Sequence, residues 1–160
     1  MQPLIQHIRK ITGVAEIDEE TVFSFFEART FRKKDLLQEE EKPCLSYFFV
    51  VKGCLRLYFT DDSGAEQTMQ FALENWWMTD LDAFRQGRRS AYSIQALEAT
   101  DVLVLHARDY ENLMATLPLM ERYFRFIYEG AYAATLLRIK LISRLPKQEF
   151  YELFADKYPE

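Results

Sequence analysis

The stretch SYFFVVKGCLRLYFTDDSGAEQTMQFAL, residues 46–73, decides the fold of this chain. Its first part, 46–51, is a continuous apolar run typical of a buried strand, and it ends at a Lys-Gly pair. Apolar and polar residues then alternate over 55–60 and again over 68–73. The Asp-Asp-Ser-Gly sequence at 61–64 supplies a turn between them, so the pattern predicts an antiparallel hairpin.

Further strands follow this hairpin, and helical patterns lie on both sides of the strand region. Segments 91–97 and 101–106 have the pattern of two more short strands. Apolar residues at spacings of three and four predict two N-terminal helices, over 3–11 and 18–28, and Asp18 is a suitable cap for the second. A short helix is expected near 109–116. The pattern therefore predicts an α+β fold built on an antiparallel β-roll or barrel.

A long helical pattern begins at Pro118 and continues to about residue 145. Many of its apolar residues follow each other at alternating steps of three and four, the spacing of a coiled-coil seam. This spacing predicts a homodimer joined along the helix; the alternative is a helix packed entirely within its own domain. The predicted interface residues are Met120, Tyr123, Ile127, Gly130, Ala134, Leu137 and Leu141. A second apolar set, expected to widen the stripe so that one face covers the roll, comprises Phe124, Phe126, Ala131, Leu136 and Ile139.

Residues 75–97, NWWMTDLDAFRQGRRSAYSIQAL, contain the candidate binding site. Three arginines flank Gly87, and guanidinium groups bind phosphate or carboxylate through charge-assisted, often bidentate hydrogen bonds. The alternative is a solvated basic surface loop. Arg89 is the leading candidate for contact with a small anion. The candidate ligand-binding residues are Arg89, Ser90, Arg88, Arg85, Thr79 and Tyr132.

Composition and motif content argue against several functional classes. The net charge of −5 does not give the broad positive field of a nucleic-acid-binding surface. Cys44 and Cys54 are too few for an iron–sulfur cluster, and His7 and His106 lie in separate elements, so no metal site or catalytic grouping is predicted. No run has the length of a membrane span and the N-terminus lacks a signal peptide, so we expect a cytoplasmic protein that is not an enzyme.

The order of these elements resembles the sensor half of the cyclic-AMP receptor/FNR (Crp/Fnr) family of bacterial transcription regulators. Arg89 and Ser90 stand where that family's phosphate-binding cassette has an Arg-Ser pair, and AYSIQALEATDVLVLH, residues 91–106, is similar to the strands that follow it. The resemblance implies a jelly-roll-like double-stranded β-helix over 1–117 and a dimerisation helix over 118–145. It also implies a cassette that holds a small anion.

The cassette departs from the family upstream of the Arg-Ser pair. The family's Gly-Glu pair falls at Met78 and Thr79, and threonine lacks the carboxylate that takes the ribose hydroxyl. Trp76 and Trp77 further suggest a filled or reshaped pocket. We therefore expect weak or no binding of cyclic AMP, a small anionic effector or none, and no cofactor.

Residues 146–160, PKQEFYELFADKYPE, look like the first helix of the family's winged helix-turn-helix. We expect DNA contact only through a part absent from this chain, whether the truncation is natural or not. The alternatives are a stand-alone module that binds a ligand or a partner protein, and a cupin-like metalloenzyme, which the two separated histidines disfavour. A haem sensor would need axial ligands, for which His106 and Cys54 are chemically possible.

Overall fold

The computed structural model describes residues 1–144 and Glu152. The helices in this part are α1 Gln2–Thr12, α2 Glu19–Ser24, α3 Leu81–Gln86, α4 Ala107–Thr116 and α5 Leu119–Arg144. The strands are β1 Phe26–Phe31, β2 Leu36–Gln38, β3 Ser46–Lys52, β4 Leu55–Thr60, β5 Glu66–Ala72, β6 Trp77–Met78, β7 Ser93–Ala96 and β8 Thr100–His106. Apart from Glu152, the predicted first helix of a DNA-binding domain at 146–160 lies outside the described residues.

The strands form two antiparallel four-stranded sheets, which confirms the predicted α+β roll. The first sheet has the order β1-β8-β3-β6 and the second has the order β2-β7-β4-β5. The predicted hairpin is β4–β5, which pairs from Leu55 with Ala72 to Thr60 with Glu66. The Asp61 carboxylate holds its turn by accepting the backbone N–H groups of Ser63 and Ala65.

The first sheet is buried on both faces, because helices cover the side that does not face the second sheet. Side chains alternate along each strand, so Phe48 and Val50 point into the core between the two sheets, while Tyr47 and Phe49 point to the helices. Strand β8 alternates in the same way. The helix-side core receives side chains from all five helices, and it joins the N-terminal helices to α5.

The turn between β3 and β4 requires glycine. Gly53 has a φ of 101°, which L residues rarely adopt, and a Cβ there would lie 2.5 Å from Thr100 Oγ1. Strand β8 can therefore approach this turn closely only because glycine has no side chain.

The second predicted helix is shorter than expected. Asp18 caps it as predicted, with Oδ1 accepting the Thr21 N–H at 3.1 Å, but the helix ends at Ser24. Phe26 then begins β1 opposite Leu105 of β8. Pairing with the central strand β8 supplies hydrogen bonds to the backbone N–H and C=O groups of this segment. These bonds outweigh the local helical pattern.

The predicted dimer interface was wrong at its first two positions. Met120 and Tyr123 have 0% exposed surface in the single chain and belong to the helix-side core. Ile127 is partly buried against the same core. The start of α5 supplies the cover that the apolar outer face of the first sheet needs, so these side chains are not available to a partner.

Candidate functional site

The candidate site is the cassette, residues 78–91, which connects β6 to β7. Asp80 caps α3, and Gly87 ends the helix in the left-handed conformation with a φ of 65°. The short helix turns its apolar side inward, with Ala83 and Phe84 buried, and the chain then returns to the roll at Ser90.

The Asp80 carboxylate lies at the centre of the cassette and is only 8% exposed. Its Oδ1 accepts the Ala83 N–H at 3.3 Å, which is the capping bond of α3. Its Oδ2 accepts the Ala91 N–H at 2.9 Å and lies 3.3 Å from Ser90 Oγ. The carboxylate thus joins the start of the cassette to its end.

Ser90, a predicted ligand contact, is buried and serves the cassette itself. Its hydroxyl oxygen accepts the Tyr92 N–H at 3.1 Å and lies 2.8 Å from the Tyr92 carbonyl oxygen. The single hydroxyl proton is shared between that carbonyl and Asp80.

Arg89, the leading predicted contact, points out of the cassette. Its Nη1 donates to the Glu41 carbonyl oxygen at 2.8 Å, and the side chain is exposed. The backbone beside it is tied to the same loop, because Ser90 N–H donates to the Lys42 carbonyl and Cys44 N–H donates to the Arg88 carbonyl. The end of the cassette is therefore fastened to residues 41–44.

The other two arginines are held on the surface by neighbouring residues. Arg85 lies 4.1 Å above the Tyr110 ring and donates to Glu111 at 2.6 Å. Arg88 lies 3.6 Å from Asp82. Among the described residues no ion pair joins Arg89 to Asp80 or to Asp82.

The remaining two predicted contacts are not brought to the cassette centre. Thr79 turns its hydroxyl to the Ser46 carbonyl oxygen at 2.8 Å and lies 3.3 Å from Cys44 Sγ. Tyr132 is on the second half of α5 and is 68% exposed. The structure thus brings together Asp80 and Ser90, with Arg89 at the rim.

Aromatic rings connect the cassette to α5. Phe84 of α3 packs edge-on against Tyr110 at 5.6 Å, and Tyr110 packs against Phe124 of α5 at 5.8 Å. Tyr47 bridges the same two elements, at 5.5 Å from Phe84 and 5.8 Å from Phe124. A displacement of α3 would therefore reach α5 through direct ring contacts.

A buried hydrogen-bond network lies beside these rings. Trp77 Nε1 donates to Tyr123 Oη at 2.8 Å, and Tyr123 Oη lies 2.7 Å from His7 Nδ1. Burial lowers the pKa of His7 below its ordinary value of 6.5, and nearby Lys10 lowers it further. The neutral imidazole is therefore favoured at pH 7, and the tautomer of His7 sets which of the two groups donates their hydrogen bond. Burial also raises the pKa of Tyr123.

A cavity of about 360 Å³ lies between α5 and the roll. Trp76 and Gln70 line it from the roll, and Ile127, Gly130 and Ala134 line it from α5. Three positions of the predicted dimer interface therefore face a cavity beside the chain's own roll. Trp76 also packs against the core between the sheets, whereas Trp77 is in the helix-side core.

Other site chemistries find little support in the described part of the chain. It holds no group of three or more His, Cys, Asp or Glu side chains that could bind a metal ion. Cys44 and Cys54 are buried, and burial raises the pKa of the Cys44 thiol. No helix among the described residues is long and apolar enough to cross a membrane.

Known proteins match this chain over the roll and the cassette segment, residues 78–91. A family model described as the cyclic nucleotide-binding domain matches residues 28–117. The cyclic AMP receptor protein of Thermus thermophilus is 26% identical over 108 residues, which cover 68% of this chain and 50% of that protein. This chain thus spans about half the length of the curated relative it matches.

Solved structures give the same result for the fold. The catabolite activator protein of Thermus thermophilus superposes with a TM-score of 0.69 at 20% identity, over 86% of this chain and 63% of that one. A cyclic nucleotide-binding domain from Methylobacillus flagellatus gives a TM-score of 0.70 at 15% identity, over 99% of this chain and 84% of that one.

A two-sheet roll with a short helix between two of its strands, covered by a long helix, is the fold that this chain shares with these solved structures. This chain belongs to the cyclic nucleotide-binding domain family.

Sequence reasoning missed the role of Asp80. Its acidic side chain next to a short helix signalled an N-cap, but nothing local indicated that Oδ2 would reach Ala91, eleven residues later. That contact depends on the return of the chain into β7, which is a property of the folded roll.

Proposed function

We propose that this chain is the effector domain of a Crp/Fnr-type transcription regulator that works as a homodimer through the second half of α5. The observation that supports this most is an exposed apolar stripe in that half. Its members are Tyr132, Leu136, Ile139 and Ile142, with 68%, 50%, 56% and 58% exposed surface. Four large side chains at three- and four-residue spacing are typical of a helix that meets another helix.

The proposed interface differs from the one predicted by spacing alone. The spacing chose the face with Ile127, Gly130 and Ala134, which lines the cavity beside the roll. Three members of the exposed stripe, Tyr132, Leu136 and Ile139, lie about 120–180° around the helix from Ile127. Full burial of a Leu or Ile side chain contributes about 1.5–3 kcal/mol, so the paired stripes of two chains supply a substantial driving force.

The effector signal in this proposal travels from the cassette to the dimer helix. Phe84 of α3 reaches Phe124 of α5 through Tyr110 and Tyr47. A change in the position of α3 would tilt or rotate α5, and with it the partner helix packed on the stripe. An occupant of the cavity beside α5 would act on the same helix.

Light scattering of the purified chain tests the dimer. We expect the mass of two chains for the wild type, and the mass of one chain for Leu136→Glu or Ile139→Glu, because a buried unpaired carboxylate opposes association. The matched control is Gly130→Glu, which adds the same charge at an exposed position about 120° around the helix from Leu136 and about 180° from Ile139. A wild-type chain that stays monomeric at every concentration would refute the proposed interface.

DNA binding in this proposal belongs to a part of the protein outside the described residues. The reading frame of the gene provides the test. A frame that continues past Glu160 into a basic helix-turn-helix supports a transcription regulator, and a stop codon there supports a stand-alone module that binds a partner through α5.

A further inference from the structure

We propose that Asp80 is a built-in anion that excludes the phosphate of a cyclic nucleotide from the cassette. The inference deepens the proposed function, on which it rests only for the regulatory role of the cassette. Asp80 is then a specificity-determining residue: this member of the family does not accept the ligand after which the family is named. Removing its carboxylate creates a site for that ligand.

Asp80 Oδ2 holds the position that an oxyanion would take. It accepts the Ala91 N–H at 2.9 Å, and it lies 3.3 Å from the Ser90 hydroxyl, whose one proton is shared with the Tyr92 carbonyl at 2.8 Å. Backbone N–H groups and hydroxyls that converge on one point are what an oxyanion needs. A phosphate oxygen would require the position that the carboxylate oxygen already holds.

The negative charge of Asp80 also opposes an anion in the cassette. Asp80 is 8% exposed, so little water surrounds it, and no ion pair of the described residues includes it. A phosphate placed beside this carboxylate would meet a like charge in a poorly solvated position, where the repulsion is strong. The cassette therefore opposes an anion both by occupancy and by charge.

Arg89 is bonded outside the position that a phosphate would take. The guanidinium that would attract a phosphate donates instead to the Glu41 carbonyl oxygen at 2.8 Å. The backbone of residues 88–90 is also paired with residues 42–44. An entering anion would have to separate this pairing before it gained a positive partner, so the closed cassette is the stable one.

The test is calorimetric titration of the full chain with cyclic AMP and with inorganic phosphate. We expect no saturable heat from the wild type. The variant Asp80→Ser removes the carboxylate but keeps a capping oxygen for α3. It should bind cyclic AMP at least about tenfold more tightly than the wild type. A tenfold change in affinity corresponds to about 1.4 kcal/mol of binding free energy. Circular dichroism checks that the variant is folded, and Asp80→Gly, also tolerated at an N-cap, is the second variant.

The matched control is Asp82→Ser. Asp82 is in the same helix and also carries one negative charge, but it is exposed and lies against Arg88 at 3.6 Å. Asp82→Ser should bind cyclic AMP no more tightly than the wild type does. The comparison separates the effect of vacating the position of the Asp80 carboxylate from the effect of losing one negative charge.

Three results would overturn the inference. Equal binding by the Asp80 and Asp82 variants would show an effect of net charge alone. Folded Asp80 variants that bind neither probe would show that the donors are not a latent anion site. Binding of cyclic AMP by the wild type that weakens in Asp80→Ser would make Asp80 a ligand contact. The mass of the chain is measured separately, so a failed dimer and a failed anion site are distinguishable.

Discussion

The two halves of α5 carry similar apolar residues but lie in different surroundings. In the first half, Met120 and Tyr123 are fully buried in the chain's own core. In the second half, Leu136 and Ile139 are half exposed. Helical spacing therefore shows that a face must be covered, but it does not show whether the covering surface is the chain's own sheet or another molecule.

The difference follows from what each half meets. The first half lies over the aromatic side of the first sheet, where Tyr123 and Phe124 contact Trp77 at 6.4 and 4.9 Å between ring centroids. The second half runs beside the cavity and meets the roll at Arg138, which donates to the Met69 carbonyl oxygen. Four experiments sharpen this comparison.

Tyr123→Ala should have the largest effect on the fold. It removes a fully buried aromatic side chain and leaves Trp77 Nε1 without an acceptor, so the free energy of unfolding should fall by about 3–5 kcal/mol. Urea denaturation followed by circular dichroism measures it. The matched variant Tyr132→Ala, studied at a concentration at which the chain is monomeric, should change this free energy by less than about 0.5 kcal/mol. Losses of similar size at both positions would contradict the comparison.

Tyr128→Phe examines the boundary between the halves. Tyr128 Oη lies 2.8 Å from Tyr110 Oη in a partly buried contact. Loss of this hydrogen bond should cost about 0.5–1.5 kcal/mol, an intermediate effect, measured by the same urea titration. A cost as large as that of Tyr123→Ala would mean that the core extends farther along α5 than the burial of its side chains indicates.

Acid should destabilise the core under the first half of α5, where His7 lies 2.7 Å from Tyr123 Oη. The folded-state pKa of His7 is lowered below 6.5, so the unfolded chain takes up the proton first as the pH falls. The contribution of neutral His7 to the free energy of unfolding is complete above pH 6.5 and decreases as the pH falls below it. Thermal unfolding on either side of pH 6.5 measures this, and His7→Gln should flatten the dependence. An unchanged dependence in His7→Gln would assign it to another group.

Gly130→Leu should have the smallest effect and decides between the two possible dimer faces. A Cβ at Gly130 meets nothing within 4 Å, and leucine favours a helix over glycine by about 0.8–1 kcal/mol, so the chain should remain folded. Because the exposed stripe excludes this position, light scattering should still give the mass of two chains. Dissociation by Gly130→Leu but not by Leu136→Glu would instead support the interface predicted from spacing.

The roll was predictable from the sequence because its signals are local. The turn at 61–64, the alternation on both sides of it and the apolar run at 46–51 each specify one element without reference to the others. The segment at 26–31 was not predictable in this way, since its strand exists only by pairing with β8.

The cassette was predictable in position but not in geometry. The Arg-Ser pair located the segment, and the resemblance indicated what the family does there. The turning of Arg89 to Glu41 depends on a loop 48 residues away, and the Asp80 bond to Ala91 depends on how the chain re-enters the roll. Contacts of this kind are set by tertiary structure.

The adjacent tryptophans give the protein two optical probes with different surroundings. Both border the cavity, but Trp77 is hydrogen-bonded to Tyr123 within the helix-side core, whereas Trp76 packs against the core between the sheets. They are the only two tryptophans in the sequence. Replacing either one with phenylalanine leaves a single tryptophan, so the fluorescence of one variant follows the helix-side core under α5 and that of the other follows the core between the sheets.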